Sequence, residues 1–421
     1  SSGRKLPWRP SLPAPSRTAG EGNLRGMFSR RTPAPGAENR LTQALAAHGR
    51  PVLDLTATNP TSARLSLDPS PALALLADDR GGLYTPDPKG LPSAREAVAT
   101  YYSARGVEAR PERLLLTASS SEAYGWLFKL LAAPGDAVLV PAPSYPLLDA
   151  LAALEGVELV RYRLPEEDRW ALHAGAVEEA ADRAAAAGRR VAAAVLVNPN
   201  NPTGSSVSRV ELDALAALAA RRGFALVSDE VFLDYRFEDR AGDVRVAAAE
   251  AGEALVFSLG GLSKAAALPQ LKLGWILANG PAALLREALE RLTWVADSYL
   301  SVGTPVQLAL PGLLAWGEGA ATALRTRLRA NHGALVASLG ERAEVTVPPL
   351  WAGWSAVLRL PAVEPEEELA LRLLAEEDLL VHPGYFFDFP HEAFLVLSLL
   401  PEERTFREGV GRLARALTRR S

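Results

Sequence analysis

The chain has no cysteine, which excludes disulfides, thiolate catalysis and the commonest structural zinc sites, and which suits a reducing cytoplasm. Its five histidines show no metal-ligand spacing, and neither a G-x-S-x-G elbow nor a dinucleotide-binding glycine fingerprint occurs. Long hydrophobic runs are missing too. The longest apolar stretches, such as VAAAVLV at Val191 to Val197, are strand-sized and well short of the roughly 20 residues that span a bilayer. A formal net charge of -4, without a dense basic stripe, argues against nucleic acid or an anionic membrane as partner. A small anionic organic ligand remains compatible with that balance.

With 421 residues, 48% of them apolar, the chain is far above the size at which a single core becomes marginal, so two domains are expected. Residues 1–40 are rich in Pro, Ser, Gly and Arg and poor in large apolar side chains, and they read as a disordered tail or extended arm. Met27 is the only methionine, which suggests translation from there and an added extension before it; an Arg-rich transit peptide is the other reading. Residues 41–75 with 305–421 read as a small domain, and residues 76–304 as a large one.

From Arg113 to about Leu277, short apolar runs alternate with longer Ala/Leu/Glu/Arg segments, the pattern of an α/β fold with a mainly parallel sheet. Strands are expected near Leu115, Leu139, Leu159, Val195, Leu226, Val256 and Trp275. Helices are expected over Ser121 to Leu131, Ala176 to Ala187, and Ser208 to Arg221, the last opened by Ser208 as N-cap.

Three segments carry the chemistry: NPNNPTG ending at Gly204, SDEVFLDY from Ser228 to Tyr235, and SLGGLSKAAALPQLKLGW around Lys264. Each follows a strand-like run, so each belongs to a loop at a strand's carboxyl end, where open α/β sheets place their ligands. They offer an amide (Asn201), a carboxylate (Asp229) and an amine in apolar surroundings (Lys264). These are the groups needed to reach a phenolic oxygen, hold a pyridine nitrogen protonated and form a Schiff base with pyridoxal phosphate. Desolvation depresses the pKa of such an amine and favours nucleophilic chemistry. Without context, Asp229 reads as a turn residue after a strand and Asn201 as part of a Pro-bracketed turn.

In this order, and together with LYTPDPKGLPSAREAV, TASSSEA at Thr117 to Ala123 and VPAPSYP ending at Pro146, the segments resemble the class I/II aminotransferases of fold type I. The resemblance runs from about Val52 to the C-terminus. It implies pyridoxal 5'-phosphate as cofactor, with Lys264 moving the proton and Asp229 on the ring nitrogen. It places Ser120, Ser121 and Ser263 with Lys272 at the phosphate, Tyr145 against the ring, and Tyr84 at the phosphate of the neighbouring subunit in a homodimer. A polar helix start is the plainer reading of Ser120 and Ser121, and a solvent-seeking side chain that of Lys272.

Three departures bear on the substrate. Phe232 stands where the family usually has a tyrosine; it cannot donate to the ring's phenolate oxygen, so the lysine-bound cofactor is expected to titrate at higher pH. Lys272 stands for a phosphate-binding arginine and gives up its planar fork, and Gly261 stands for a frequent serine. Val396 occupies the place, two residues before Ser398, of the arginine that grips the substrate's α-carboxylate. Either another cation does that work, with Arg64, Arg359 and His382 the polar candidates, or the substrate is not an ordinary α-amino acid. Asn59, Arg359 and Tyr385 are the candidate substrate residues. The aromatic run Tyr385, Phe386 and Phe387 favours an apolar or aromatic amino donor.

The expectation is therefore a cytoplasmic, homodimeric aminotransferase that moves an amino group from an amino acid to a 2-oxo acid, without nucleic-acid or membrane partners. A β-eliminating lyase or decarboxylase of the same fold is the alternative. A ligand-sensing module is less favoured, because the short Pro-rich N-terminus has no room for a helix-turn-helix.

Overall fold

The computed structural model describes residues 29, 31, 32, 39–65, 67–238, 240–342 and 344–418. The expectations for residues 1–40, including Met27, otherwise lie outside the described residues. A helix, Arg40–Ala47, starts there with Asn39 as its cap, followed by a short strand, β1 (Leu53–Asp54).

The main sheet comprises β2 (Leu114–Thr117), β3 (Ala137–Ala142), β4 (Glu158–Arg163), β5 (Val191–Val197), β6 (Ala225–Asp229), β7 (Val256–Gly261) and β8 (Gly274–Asn279), in the order β2-β8-β7-β6-β5-β3-β4. All its pairings are parallel except those of β8, which runs against both of its neighbours. The seven expected strands all form. Their near-continuous apolar runs reflect burial on both faces. Leu115, Val138, Val195, Val227 and Phe257 belong to the core on one face, and Leu116, Leu139, Leu196, Leu226 and Val256 to the core on the other.

The expected helices are present with small shifts. Ser208 caps Arg209–Arg222 through a capping box with Glu211, which satisfies two amide N–H groups of the first turn. The helix Ser120–Leu131 is capped by Ser119, whose hydroxyl accepts from the Glu122 N–H. Ser120 and Ser121 are thus the first helical residues, and their backbone N–H groups have no partner within the helix.

A 36-residue helix, Thr304–Leu339, leads away from the main sheet. Beyond it come β9 (Ser355–Arg359), β10 (Leu379–Leu380), β11 (His382–Pro383) and β12 (Phe394–Ser398). A three-stranded antiparallel sheet has the order β11-β12-β9, while β10 pairs in parallel with β1. Among the described residues no helix is long and apolar enough to cross a membrane.

The topology fixes where chemistry can gather. Asp229 ends β6, Lys264 follows the end of β7 and Asn201 that of β5, while Tyr145 follows β3. Thr117, at the end of β2, pairs with Gly274 at the start of the antiparallel β8. Lys272 before Gly274 and Ser120 after Thr117 therefore meet at the same end of the sheet. Gly261 lies so close to that strand that a Cβ would stand 3.1 Å from the Gly274 Cα and 3.2 Å from the Leu273 carbonyl oxygen, so a serine there would press on β8.

Candidate active site

Lys264 sits in a short helical turn, Leu262–Ala265, directly after β7. Its Nζ lies 4.3 Å from the centre of the Trp354 ring and 5.5 Å from that of Phe232. Burial lowers the amine to about 8, against the opposing pull of Asp229. The Tyr235 hydroxyl donates to the Lys264 carbonyl at 2.7 Å and secures the backbone beneath the amine. Tyr235 and Phe232 both pack edge-on against Trp354, with ring centres 4.9 and 5.5 Å away, so the amine is backed by three locked aromatic rings.

Asp229 is half-buried at the end of β6, where desolvation raises its pKa. One carboxylate oxygen accepts from the Val231 N–H at 3.2 Å, and the other accepts from the Tyr124 hydroxyl at 3.1 Å. These bonds, with the charge of Lys264, favour the ionised form.

The asparagines of NPNNPTG divide the work. Asn198 donates to the Val244 carbonyl and accepts from the Val207 N–H, while Asn200 donates to the Pro143 carbonyl and to Thr203. Both are buried struts of the loop. Asn201 instead faces a cavity, its Oδ1 accepting from the Ser355 hydroxyl at 3.3 Å. Gly204 closes the loop at φ +67°, where any Cβ would collide with the Ala352 carbonyl oxygen.

Tyr145 and Asn201 line that cavity together with Thr56, Ser355, Val396 and Ser398, and Phe386 and Phe387 add aromatic wall. Ser355 of its lining follows Trp354, whose ring lies against the Lys264 amine. Val396 faces it from β12, directly opposite His382 of β11 in the strand register.

Other expected residues stand elsewhere. Asn59 is exposed and caps the turn Pro60–Ser62, accepting from the Thr61 N–H at 3.0 Å and from its hydroxyl at 2.8 Å, so it does not line the cavity. Arg359 lies at the far end of β9 from Ser355 and pairs with Glu166 at 3.4 Å. The Tyr385 hydroxyl turns outward and donates to Glu367 at 3.0 Å. Each of these three side chains is held by its own partner, outside the lining of that cavity. Arg64 is exposed beside Glu402. Lys272 is exposed in a turn at φ +52°, Ser263 is half-buried, and Tyr84 is 72% exposed.

Tyr124, Tyr235 and Trp354 were not anticipated as site residues. The sequence held a signal for two of them: Tyr124 follows TASSSEA directly on the same helix, and Tyr235 ends SDEVFLDY. Trp354 offers none, since it lies in the segment before β9 that only the folded chain brings to Lys264, where Ala352 bridges Arg236.

A family model described as aminotransferase class I and II matches residues 50–413. Tyrosine aminotransferase of Bos taurus is 29% identical over 323 residues, covering 74% of this chain and 70% of that protein. The glutamate-pyruvate aminotransferase AlaA of Haemophilus influenzae is 28% identical over 343 residues, covering 79% of this chain and 82% of its own. The solved alanine aminotransferase from Pyrococcus furiosus superposes with a TM-score of 0.80 at 23% identity, over 90% of this chain and 95% of that one.

Proposed function

Because the chain belongs to the class I and II aminotransferases, we propose that it is a pyridoxal phosphate-dependent aminotransferase in which Lys264 holds the cofactor and moves the proton. The observation that carries this reading is the gathering of Asn201, Asp229 and Lys264 at the ends of three adjacent strands, β5, β6 and β7. The donor set suits that cofactor. A desolvated carboxylate without a lysine or arginine bonded to it is costly and favours a cationic ring nitrogen beside it. An amine lowered to about 8 has a substantial neutral fraction at neutral pH and can attack a carbonyl. The first turn at Ser120 and Ser121 presents backbone N–H groups suited to a phosphate, with Lys272 and Ser263 as further candidates and Tyr145 for the ring face.

Pyridoxal phosphate, when bound, supplies a carbonyl that condenses with amines and a ring that takes up the electron pair left when a Cα–H bond breaks. Asp229 supplies negative charge beside the ring, which the bonds from Tyr124 and Val231 favour against desolvation. Lys264 accepts the proton at Nζ and returns it. Trp354, Phe232 and Tyr235 keep water from the amine and limit its directions of approach. Asn201 holds its position through Ser355, so the small sheet helps set the geometry of the large one.

The reading extends to a cytoplasmic homodimer with shared sites, built from a large domain of residues 76–304 and a small one of 41–75 with 305–421. Supporting the dimer, Tyr84 and Leu300 are 72% and 66% exposed and border one cleft, large apolar side chains that a second copy would cover. The cofactor-loaded protein tests the function when amino donors are added without an acceptor. Loss of the visible absorbance band, and its return on adding a 2-oxo acid, is expected. Release of ammonia or carbon dioxide with the band retained would instead establish the lyase or decarboxylase reading.

A further inference from the structure

We propose that a second cleft, flanking the turn that carries Tyr235, binds a phosphoryl dianion between Arg325 and Arg329, either as free phosphate or on a small polar ester. This goes beyond the aminotransferase reading and does not depend on it.

The cleft has a volume of about 350 Å³, in the range of small-molecule sites. Three parts of the chain wall it: the residues just after the helix Pro92–Ser103, the segment from Leu233 to Arg245, and the long helix Thr304–Leu339. Five of the lining residues are arginines and three are acids. The wall is therefore positive, although the whole chain is net negative. Tyr235 lies between two lining residues, Asp234 and Arg236, and its hydroxyl holds the Lys264 carbonyl. The cleft thus shares a segment of chain with the support of the amine.

Much of the charge is matched within the wall. Arg105 donates from Nε to Asp234 at 2.6 Å and from Nη1 to Glu318 at 3.3 Å, and Arg236 lies 3.5 Å from Asp243. Arg325 and Arg329 differ. They are neighbours one turn apart on the long helix, and their acceptors are neutral. Arg325 donates to the Asp234 carbonyl at 2.8 Å and to the Thr322 hydroxyl at 2.9 Å, and Arg329 donates to the Phe237 carbonyl. Neither forms an ion pair among the described residues, and the third acid, Glu238, is exposed. Of the five N–H groups on a guanidinium, Arg325 spends two and Arg329 one. The remaining donors are available for charge-assisted bonds in a fixed fork. The bonds already made hold both side chains in place, so little freedom is lost on binding.

A phosphoryl group brings close to two negative charges and three terminal oxygens at neutral pH, which suits two forks on successive turns. A single carboxylate offers one charge and one edge. Asp234, Glu238 and Glu318 repel a longer polyanion, so the rest of the ligand is small and uncharged.

The test is calorimetric titration of the cofactor-loaded protein, freed of excess cofactor, so that the helix start proposed for the cofactor phosphate at Ser120 is already taken. Inorganic phosphate, glycerol 3-phosphate and succinate are compared at constant ionic strength. Saturable binding of at least one phosphate probe is expected, and the tighter of the two names the source. Arg329→Gln should weaken it about tenfold or more, while Arg291→Gln, at an exposed arginine on the helix Ala282–Tyr299 outside the cleft, should leave it unchanged. Arg325→Gln serves in the same way if Arg329→Gln does not fold. Absence of saturable binding at millimolar phosphate overturns the proposal, as does binding that Arg329→Gln leaves intact or that Arg291→Gln weakens equally. Arg329-dependent binding of succinate tighter than that of either phosphate probe overturns it too.

Discussion

The Tyr124 hydroxyl donates a hydrogen bond of 3.1 Å to the carboxylate of Asp229, and so ties the helix that opens at Ser120 to the end of β6. The bond joins two parts of the proposed cofactor site, the helix start offered to the phosphate and the carboxylate offered to the ring. It also stabilises the ionised acid against the desolvation that raises its pKa. Tyr124→Phe removes one hydrogen bond to a charged group, worth roughly 1.5 to 3 kcal/mol. Cofactor affinity is expected to fall by about tenfold or more, measured by fluorescence during equilibrium dialysis. Unchanged affinity would show that the bond is spectator packing.

Phe232 lies against Trp354 and 5.5 Å from the Lys264 amine, without a hydroxyl to offer. In the loaded protein, Phe232→Tyr should lower the pH midpoint of the visible absorbance change, because a phenol donates to the deprotonated form and favours it. A fall of less than a few tenths of a unit would contradict that role.

Glu230, next to Asp229, carries no proposed catalytic duty. One of its oxygens accepts from the Ala247 N–H at 2.7 Å and the Ser258 hydroxyl at 2.8 Å, and burial raises its pKa to about 8. The folded state therefore holds a proton that the unfolded state gives up near 4.5. Stability from this group is full below pH 4.5 and is lost as pH rises toward 8. Glu230→Gln keeps the accepting oxygen and cannot ionise, so it should flatten that slope and gain up to about 4 kcal/mol at pH 8. Denaturant melts from pH 5 to 8 check this, and an identical slope in both proteins would exclude it.

The main sheet was legible because its strands are buried on both faces and read as apolar runs. Asn201, Asp229 and Lys264 were legible because each lies within a few residues of such a run. The division of labour within NPNNPTG was not, since Asn198 and Asn200 differ from Asn201 only in which way the folded loop turns them. The substrate side was harder still. β1, β10 and β11 have two residues each, too short for periodicity to show which side chain faces inward. Arg359 and Tyr385 consequently read as candidates, although Glu166 and Glu367 hold them away from the cavity. Val396 could be noted in the sequence, but its pairing with His382 exists only in the folded register.

The most direct measurement is borohydride reduction of the cofactor-loaded protein, followed by mass mapping of the modified peptide. The chain has only five lysines, Lys5, Lys89, Lys129, Lys264 and Lys272, so the assignment is unambiguous. The account predicts a single pyridoxyl adduct on Lys264, lost in Lys264→Ala. An adduct on Lys272 or another lysine, or none on a protein shown to bind the cofactor, would contradict it.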